Sequence, residues 1–291
     1  METTGSSLAL AARYLELNRP NDALRALDDA GDEALKEPRY WVLRSRSEYA
    51  LRQWWKAVNA AQNGLALEPN DTELLSTLAV GWLGMGEPAM AERQLTRAVE
   101  IDPDDAGLLA QLAAVYAEQE RYPAALDAAN RAVSREPWSE YALMVRAAVA
   151  VDAEDANAER YVEELLESNP ESDVAYALKG TLATRGKRYS AASKAFKAAA
   201  ELDPSDQGNV DRARYSRDVM MHPLFAPLRP IWRIGWFPAR VVMILVWIVL
   251  LATGHGELAV AVILLWLSLV ALSWVAPPYV RWRAERKRRA L

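Results

Sequence analysis

The sequence contains no cysteine, two histidines and three phenylalanines among 291 residues. Without cysteine there is no disulfide framework, no thiolate nucleophile, no Cys-ligated zinc and no iron–sulfur cluster. His222 and His255 lack a metal-ligand partner at helical spacing, so each reads as a solvated or interfacial histidine. A signal peptide is missing as well: Met1-Glu2-Thr3-Thr4-Gly5-Ser6-Ser7 has no basic segment, no apolar core precedes Arg13, and export is not expected. Period-2 alternation is also absent, and β-branched runs are confined to the C-terminal part, which leaves a sheet little support.

Charge is abundant but unevenly placed. The net charge of -5 divides into -13 over residues 1–206 and +8 over residues 207–291, and six of the eleven tryptophans lie in the latter part. The two parts therefore address different surroundings. From Ser6 to about Asp203 the chain is rich in Ala, Leu, Glu and Arg, all good helix formers, interrupted at regular intervals by proline and short polar clusters.

Those interruptions set the architecture. Pro69, Pro103, Pro137, Pro170 and Pro204 follow one another at intervals of 34, 34, 33 and 34 residues, each in an acidic or polar run. A fixed period of this length predicts stacked repeats, each with room for two helices of about 12–14 residues and two turns. The apolar face of each helical pair is covered only by its neighbours.

Within the period, Leu78, Ala79 and Trp82 are followed by Ala91, Leu95, Ala98 and Pro103; Leu112, Ala113 and Tyr116 are followed by Ala125, Ala129, Ala132 and Pro137. Tyr176, Gly180, Ala192, Phe196, Ala199 and Pro204 repeat the pattern, and Leu10, Ala11, Tyr14, Ala23, Leu27 and Ala30 begin it. These residues resemble the tetratricopeptide repeat family. The resemblance implies an all-α solenoid of about six αα-hairpins over residues 4–205, with a concave face, lined by the first helices, that binds a partner protein or peptide. The units from Trp41 to Pro69 and from Tyr141 to Pro170 match on their second helices but slip by one residue on the first. Carried over by position, the groove candidates are Ser76, Val80 and Leu83; Ala110, Ala114 and Ala117; and Ala177, Thr181 and Arg185. The Lys, Asn and Arg set by which related subfamilies clamp an acidic C-terminal tail is missing, and Arg44 and Arg46 lie in the unit of open register. An apolar or weakly basic segment is the expected ligand.

After Pro204 the pattern ends. Residues 206–233 read as a connector with a proline-broken apolar stretch from Met220 to Pro230. Residues 234–277 then hold two uncharged runs, Val241 to Thr253 and Leu258 to Ala276, separated by Gly254-His255-Gly256-Glu257. Only the second has the full length of about 20 residues that a bilayer requires; the first is short unless it starts near Ile234. A two-helix membrane hairpin is expected, followed by a basic tail over 278–291. Arg229, Arg233 and Arg240 precede it and Arg281, Arg283, Arg286, Lys287, Arg288 and Arg289 follow it, while the turn carries no cation. By the positive-inside rule both ends are cytoplasmic, and the basic tail is placed to meet anionic lipid. A hairpin that enters and leaves one leaflet would give the same sidedness.

No catalytic constellation stands out, no metal or cofactor is expected, and the acidic repeats would repel nucleic acid. Gly180 to Lys187 superficially resembles a phosphate-binding loop, but five residues separate its glycines, Arg188 follows the lysine, and no strand precedes it; it reads as a turn between helices. Two functions fit: a membrane-anchored, non-enzymatic adaptor, or a structural subunit or assembly factor whose hairpin packs against other membrane helices. Arginine outnumbers lysine 27 to 7, which points to a bacterial source and an inner-membrane address.

Overall fold

The structure is a computed structural model; it describes residues 2–221, 223–234 and 236–288, and side chains over 5–219, 221, 226–231, 237–275, 278 and 279. Among the described residues there are helices and turns and no strand. In order they are α1 (Glu2–Glu16), α2 (Pro20–Asp28), α3 (Pro38–Ala50), α4 (Trp54–Leu67), α5 (Thr72–Gly84), α6 (Pro88–Ile101), α7 (Ala106–Glu118) and α8 (Tyr122–Arg135). Then come α9 (Glu140–Asp152), α10 (Ala158–Ser168), α11 (Asp173–Arg185), α12 (Tyr189–Leu202), α13 (Gln207–Met221), α14 (Arg229–Ile234), α15 (Trp236–Ala252) and α16 (Gly256–Arg288). Short 3-10 turns occupy Asp32–Lys36 and Pro223–Leu228. Helices α1 to α8 form four consecutive pairs and α11 with α12 another, while α9 and α10 follow in the sequence positions of the remaining one, in keeping with about six repeats.

Local chemistry explains why the helices start and stop where they do. Side chains of Asp71, Asp105, Ser139 and Ser172 accept the backbone N–H three residues on, capping α5, α7, α9 and α11. Each cap satisfies a donor that the first helical turn leaves without a partner, worth about 1 kcal/mol. Within each pair the first helix ends on a residue of positive φ: Asn18, Arg52, Gly86, Glu120, Glu154 and Lys187, spaced by 34 residues and finally 33. The N–H groups of this residue and the next bond back to the last helical turn, for example Glu120 to Ala117 and Arg121 to Tyr116. This Schellman closure reverses the chain in three or four residues.

The same period runs through the interior. Ala23, Ala57, Ala91, Ala125, Ala158 and Ala192 are all buried, as are Ala11, Ser45, Ala79, Ala113, Ala147 and Gly180. Small side chains at these places allow the two helices of a pair to approach closely. The first helices of the second and fifth pairs are therefore in register, which corrects the one-residue slip expected from the sequence. Ser45 stands in the alanine position and donates its hydroxyl to the Ala57 carbonyl at 2.8 Å. Glu48 stands where Tyr14, Trp82 and Tyr116 stand in their pairs; it is buried, and its Oε2 has no hydrogen-bond partner.

The chain forms two compact units, Met1–Tyr161 and Val162–Leu291. In the first, each first helix packs against the next one, α1 on α3, α3 on α5, α5 on α7 and α7 on α9, so the first helices make a continuous row. The second helices α2, α4, α6 and α8 fill the other side of that row, each against the following first helix. Leu75, Leu95, Leu108 and Val115 form one core cluster and Leu109, Ala129, Val145 and Val149 another. Burying each Leu contributes about 1.5–3 kcal/mol.

In the second unit, α11 and α12 pair and α13 packs along α12. Asp206, 34 residues after Ser172, accepts N–H bonds from Gly208 and Asn209 and starts α13 as the earlier caps start theirs. The polar stretch read as a connector thus forms one more helix of first-helix type. Behind it, Tyr189, Val219, Leu228, Ile231 and Ala239 form a cluster against which Trp266, Leu269, Leu272 and Tyr279 of α16 pack. Helices α15 and α16 pack on each other across Thr253–His255, closed by the same Schellman pattern at Gly254.

Candidate functional site

The row of first helices in the first unit leaves one face uncovered by second helices. On it lies a concave pocket of about 490 Å³ lined by Leu15, Ser45, Arg46, Tyr49, Ala50, Glu73, Ser76, Thr77, Val80 and Gln111. One residue set recurs along the row: Leu15, Tyr49 and Leu83 are 34 residues apart, as are Ala12, Arg46 and Val80. Of these, Leu15, Arg46, Tyr49 and Val80 line the pocket.

The pocket's chemistry is mixed but internally satisfied. Arg46 pairs with Glu73 at 3.3 Å, both more than half exposed, so the pair contributes at most about 1 kcal/mol. Ser76 donates its hydroxyl to Gln111 Oε1 at 2.7 Å, tying α5 to α7. Leu15, Val80 and Tyr49 supply the apolar wall, and the Tyr49 ring packs against Trp54 with centroids 5.0 Å apart. Burial raises the Tyr141 phenol above its ordinary range, and the Tyr49 phenol adds to the shift. The Tyr141 phenol is therefore held in its neutral form. A neighbouring concavity shares Arg46 and Glu73 and adds Arg39, Glu68 and Asp71, giving this end of the row a slight acidic excess.

The groove positions inferred from the sequence fall in different places. Ser76 and Val80 line the pocket. Leu83 is half-buried against the Leu75–Leu95 cluster, Ala114 and Ala117 are half-buried against the neighbouring one, and Ala110 is fully buried with no surface to offer a ligand. Ala177, Thr181 and Arg185 belong to the second unit; Thr181 donates its hydroxyl to the Ala177 carbonyl at 3.0 Å, and Arg185 is exposed. Tyr49 and Gln111 were missed by the sequence reading, and the 34-residue offset from Leu15 was the signal that would have found Tyr49.

In the second unit, Arg229 is exposed and donates to the Met221 carbonyl at 2.8 Å, and Arg240 is exposed near the start of α15. Side chains of Arg233, Arg281, Arg283, Arg286, Lys287 and Arg288 lie outside the described set, and His222 and Arg289 lie outside the described residues. Gly180 to Lys187 forms the end of α11 and its turn, with Gly186 as the C-cap. Among the described residues, no group of three or more His, Asp or Glu is placed to hold a metal ion. One helix, over Gly256–Val275, is long and apolar enough to cross a membrane by length and composition; Phe237–Ala252 is apolar but shorter.

A helical-repeat protein with an open row of first helices is the class these features define. The family profile described as tetratricopeptide repeat matches residues 82–141 and 156–207. These two segments match that profile, and the solenoid has the tetratricopeptide-repeat fold. Among solved structures it is similar to a tetratricopeptide repeat protein from Parabacteroides merdae, at 16% identity and a TM-score of 0.64, covering 74% of this chain and 84% of that one. PilW, a type IV pilus biogenesis factor, is similar at 16% identity and a TM-score of 0.62, over 72% of this chain and 98% of that one. The Cut9–Hcn1 assembly of the APC/C is similar at 14% identity and a TM-score of 0.64, over 73% of this chain; this chain spans only 42% of that one. No curated protein matches the chain. These likenesses show the fold. Tetratricopeptide repeats in general mediate protein–protein interactions and scaffolding, and the fold is typically a non-catalytic one.

Proposed function

We propose that this protein is a membrane-anchored adaptor that holds a partner protein's apolar or weakly basic segment against the first helices of its N-terminal unit. The pocket around Tyr49, Ser76 and Val80 carries this reading. An acidic tail would need cations that are not already paired, whereas Arg46 is the one cation lining this pocket and Glu73 holds it. Apolar walls beside Ser76, Gln111 and Tyr49 suit a segment that buries one or two apolar side chains and meets the groove with its backbone polar groups. Residues 4–205 serve as the binding domain, 206–233 join it to the anchor, 234–277 form the anchor and 278–291 form a basic tail for anionic lipid.

The anchor reading rests on surface chemistry. Val242, Leu245, Ile248 and Val249 on α15, with Leu258, Val260, Leu264 and Leu265 on α16, are at least half exposed. A contiguous apolar surface of this kind marks contact with lipid or another protein. Two spans with both ends in the cytoplasm, in a bacterial inner membrane, fit the distribution of arginines. The same exposed surface also fits packing against other membrane helices, the structural-subunit reading.

The test is affinity capture of the full-length chain from its native membrane, beside the variants Val80→Glu and Tyr49→Ala and a chain whose hairpin is replaced by an unrelated one. Loss of partners with the groove variants and their retention after the hairpin swap is the expected result. Partners indifferent to Val80→Glu and lost after the swap would replace the adaptor by the structural subunit.

A further inference from the structure

The hydrogen-bonding groups that the pocket leaves to a ligand are of one kind. Its small hydroxyls are engaged inside the fold: Ser45 donates to the Ala57 carbonyl at 2.8 Å, Ser76 to Gln111 Oε1 at 2.7 Å and Thr77 to the Leu74 carbonyl at 3.1 Å. The Glu73 carboxylate accepts from the Arg46 guanidinium. What remains along the wall is the Gln111 amide nitrogen and the Tyr49 hydroxyl, neither of which has a hydrogen-bond partner among the described residues. From the first turn of α9, the Tyr141 phenol comes near enough to Tyr49 for that phenol to raise its pKa, and its hydroxyl is likewise without a hydrogen-bond partner there.

The Tyr49 ring is fixed from behind. It packs on Trp54 with centroids 5.0 Å apart and planes tilted by 55°. Trp54 in turn lies against the end of α5, where a Cβ built on Gly84 would come within 2.7 Å of its Cδ2 and Cε3. Glycine at this place is what lets the indole sit there and back the tyrosine. Tyr49, 40% exposed, therefore offers an aromatic face held in position before any ligand arrives, with Tyr141, 42% exposed, near it.

Resting on the reading of this pocket as the partner-binding groove, we infer that its ligand is a proline-rich segment in the polyproline II conformation. Such a segment has no internal hydrogen bonds, presents a carbonyl acceptor at each residue and lacks an N–H at each proline, and its rings pack on aromatic faces. Tyr49 and Tyr141 supply the faces, and their hydroxyls, with the Gln111 amide, donate to the carbonyls. An α-helical ligand has its backbone groups already bonded and would desolvate these donors without giving them partners. An extended segment with an N–H at every residue would need acceptors, and Gln111 Oε1 and Glu73 are already engaged. Pairing of Arg46 with Glu73 leaves no net charge between them for the ligand to answer, which suits an uncharged one.

The test is fluorescence anisotropy of labelled decaproline, beside a length-matched amphipathic helical peptide of Ala, Leu and Lys, titrated with the full-length protein in detergent. Decaproline should bind more tightly than the helical peptide. Tyr49→Ala should weaken it by about tenfold or more and Gln111→Leu by about three- to tenfold, with the helical circular dichroism unchanged. Gly84→Ala, which displaces Trp54 without altering a lining residue, should also weaken it. No saturable binding of decaproline, or binding indifferent to Tyr49→Ala and Gln111→Leu, overturns the inference. Preference for the helical peptide, abolished by Val80→Glu, overturns the proline class and leaves the adaptor groove standing. Neither peptide held at the pocket, with captured partners indifferent to Val80→Glu, refutes the inference and the groove together.

Discussion

Gly180 and Phe196 offer a sharp test of the packing rule that organises the repeats. At the equivalent places Ala11 meets Leu27 within one core cluster, Ala79 meets Leu95 and Ala113 meets Ala129. Only the sixth pair combines a glycine with a phenylalanine. A Cβ built on Gly180 would lie 2.7 to 2.9 Å from Cε1, Cδ1 and Cγ of Phe196, whose ring is buried at 3% exposure. The close atoms belong to a rigid, buried ring and not to a flexible end that can yield. Overpacking costs about 1–3 kcal/mol, against which Ala gains about 1 kcal/mol over Gly in helix propensity. Gly180→Ala should therefore destabilise α11 and α12 by about 1 kcal/mol. With Phe196→Leu, which alone costs about 1–2 kcal/mol for the lost ring volume, the clash is gone and the same change should stabilise by about 1 kcal/mol. The coupling of about 2 kcal/mol corresponds to roughly a 30-fold difference in local opening. Amide hydrogen exchange of α11 and α12, in the full chain in detergent, reads it directly, without assuming that the repeats unfold as one unit. If Gly180→Ala slows exchange with Phe196 in place, the packing argument is wrong.

The left-handed turn residues predict opposite responses from equivalent positions. Glu120→Gly relieves a side chain held at φ 58° and should stabilise α7 and α8 by roughly 0.5–1 kcal/mol, whereas Gly86→Ala at φ 78° should destabilise α5 and α6 by a similar amount, both seen as shifts in thermal unfolding. Glu92 supplies a pH-dependent link: burial opposes its charge, but hydrogen bonds from Arg121 at 2.8 Å and Gln119 at 3.0 Å outweigh this and hold its carboxyl below the ordinary range. A depressed folded-state pKa means that the stabilisation is present above the unfolded value of about 4.3 and is lost as pH falls through the folded value. Arg121 is half exposed, so the advantage over Glu92→Gln should not exceed about 1 kcal/mol above pH 5, and the two proteins should converge in urea denaturation below about pH 4.

The regular prolines exposed the repeat period because proline tolerates only turns and first helical positions, so its spacing marks the joints without any knowledge of contacts. The caps at Asp71, Asp105, Ser139 and Ser172 have the same spacing but use two residue types that are common elsewhere, and their role became visible only when the accepted N–H groups did. The second pair was misread for a similar reason. Ser45 and Glu48 stand where the other first helices carry a small apolar and an aromatic residue.

The sequence by itself determined the helical class, the number of pairs, the inter-helix turn at Gly186 and the change of composition after Pro204, because these follow from local propensity and from a period counted along one chain. The tertiary structure alone decided which residues line the pocket, that Ala110 is interior while Tyr49 and Gln111 are not, and that Lys187 meets α16. Each of these depends on side chains from helices distant in the sequence, and a linear period gives a position's face on its own helix without saying which neighbour covers it.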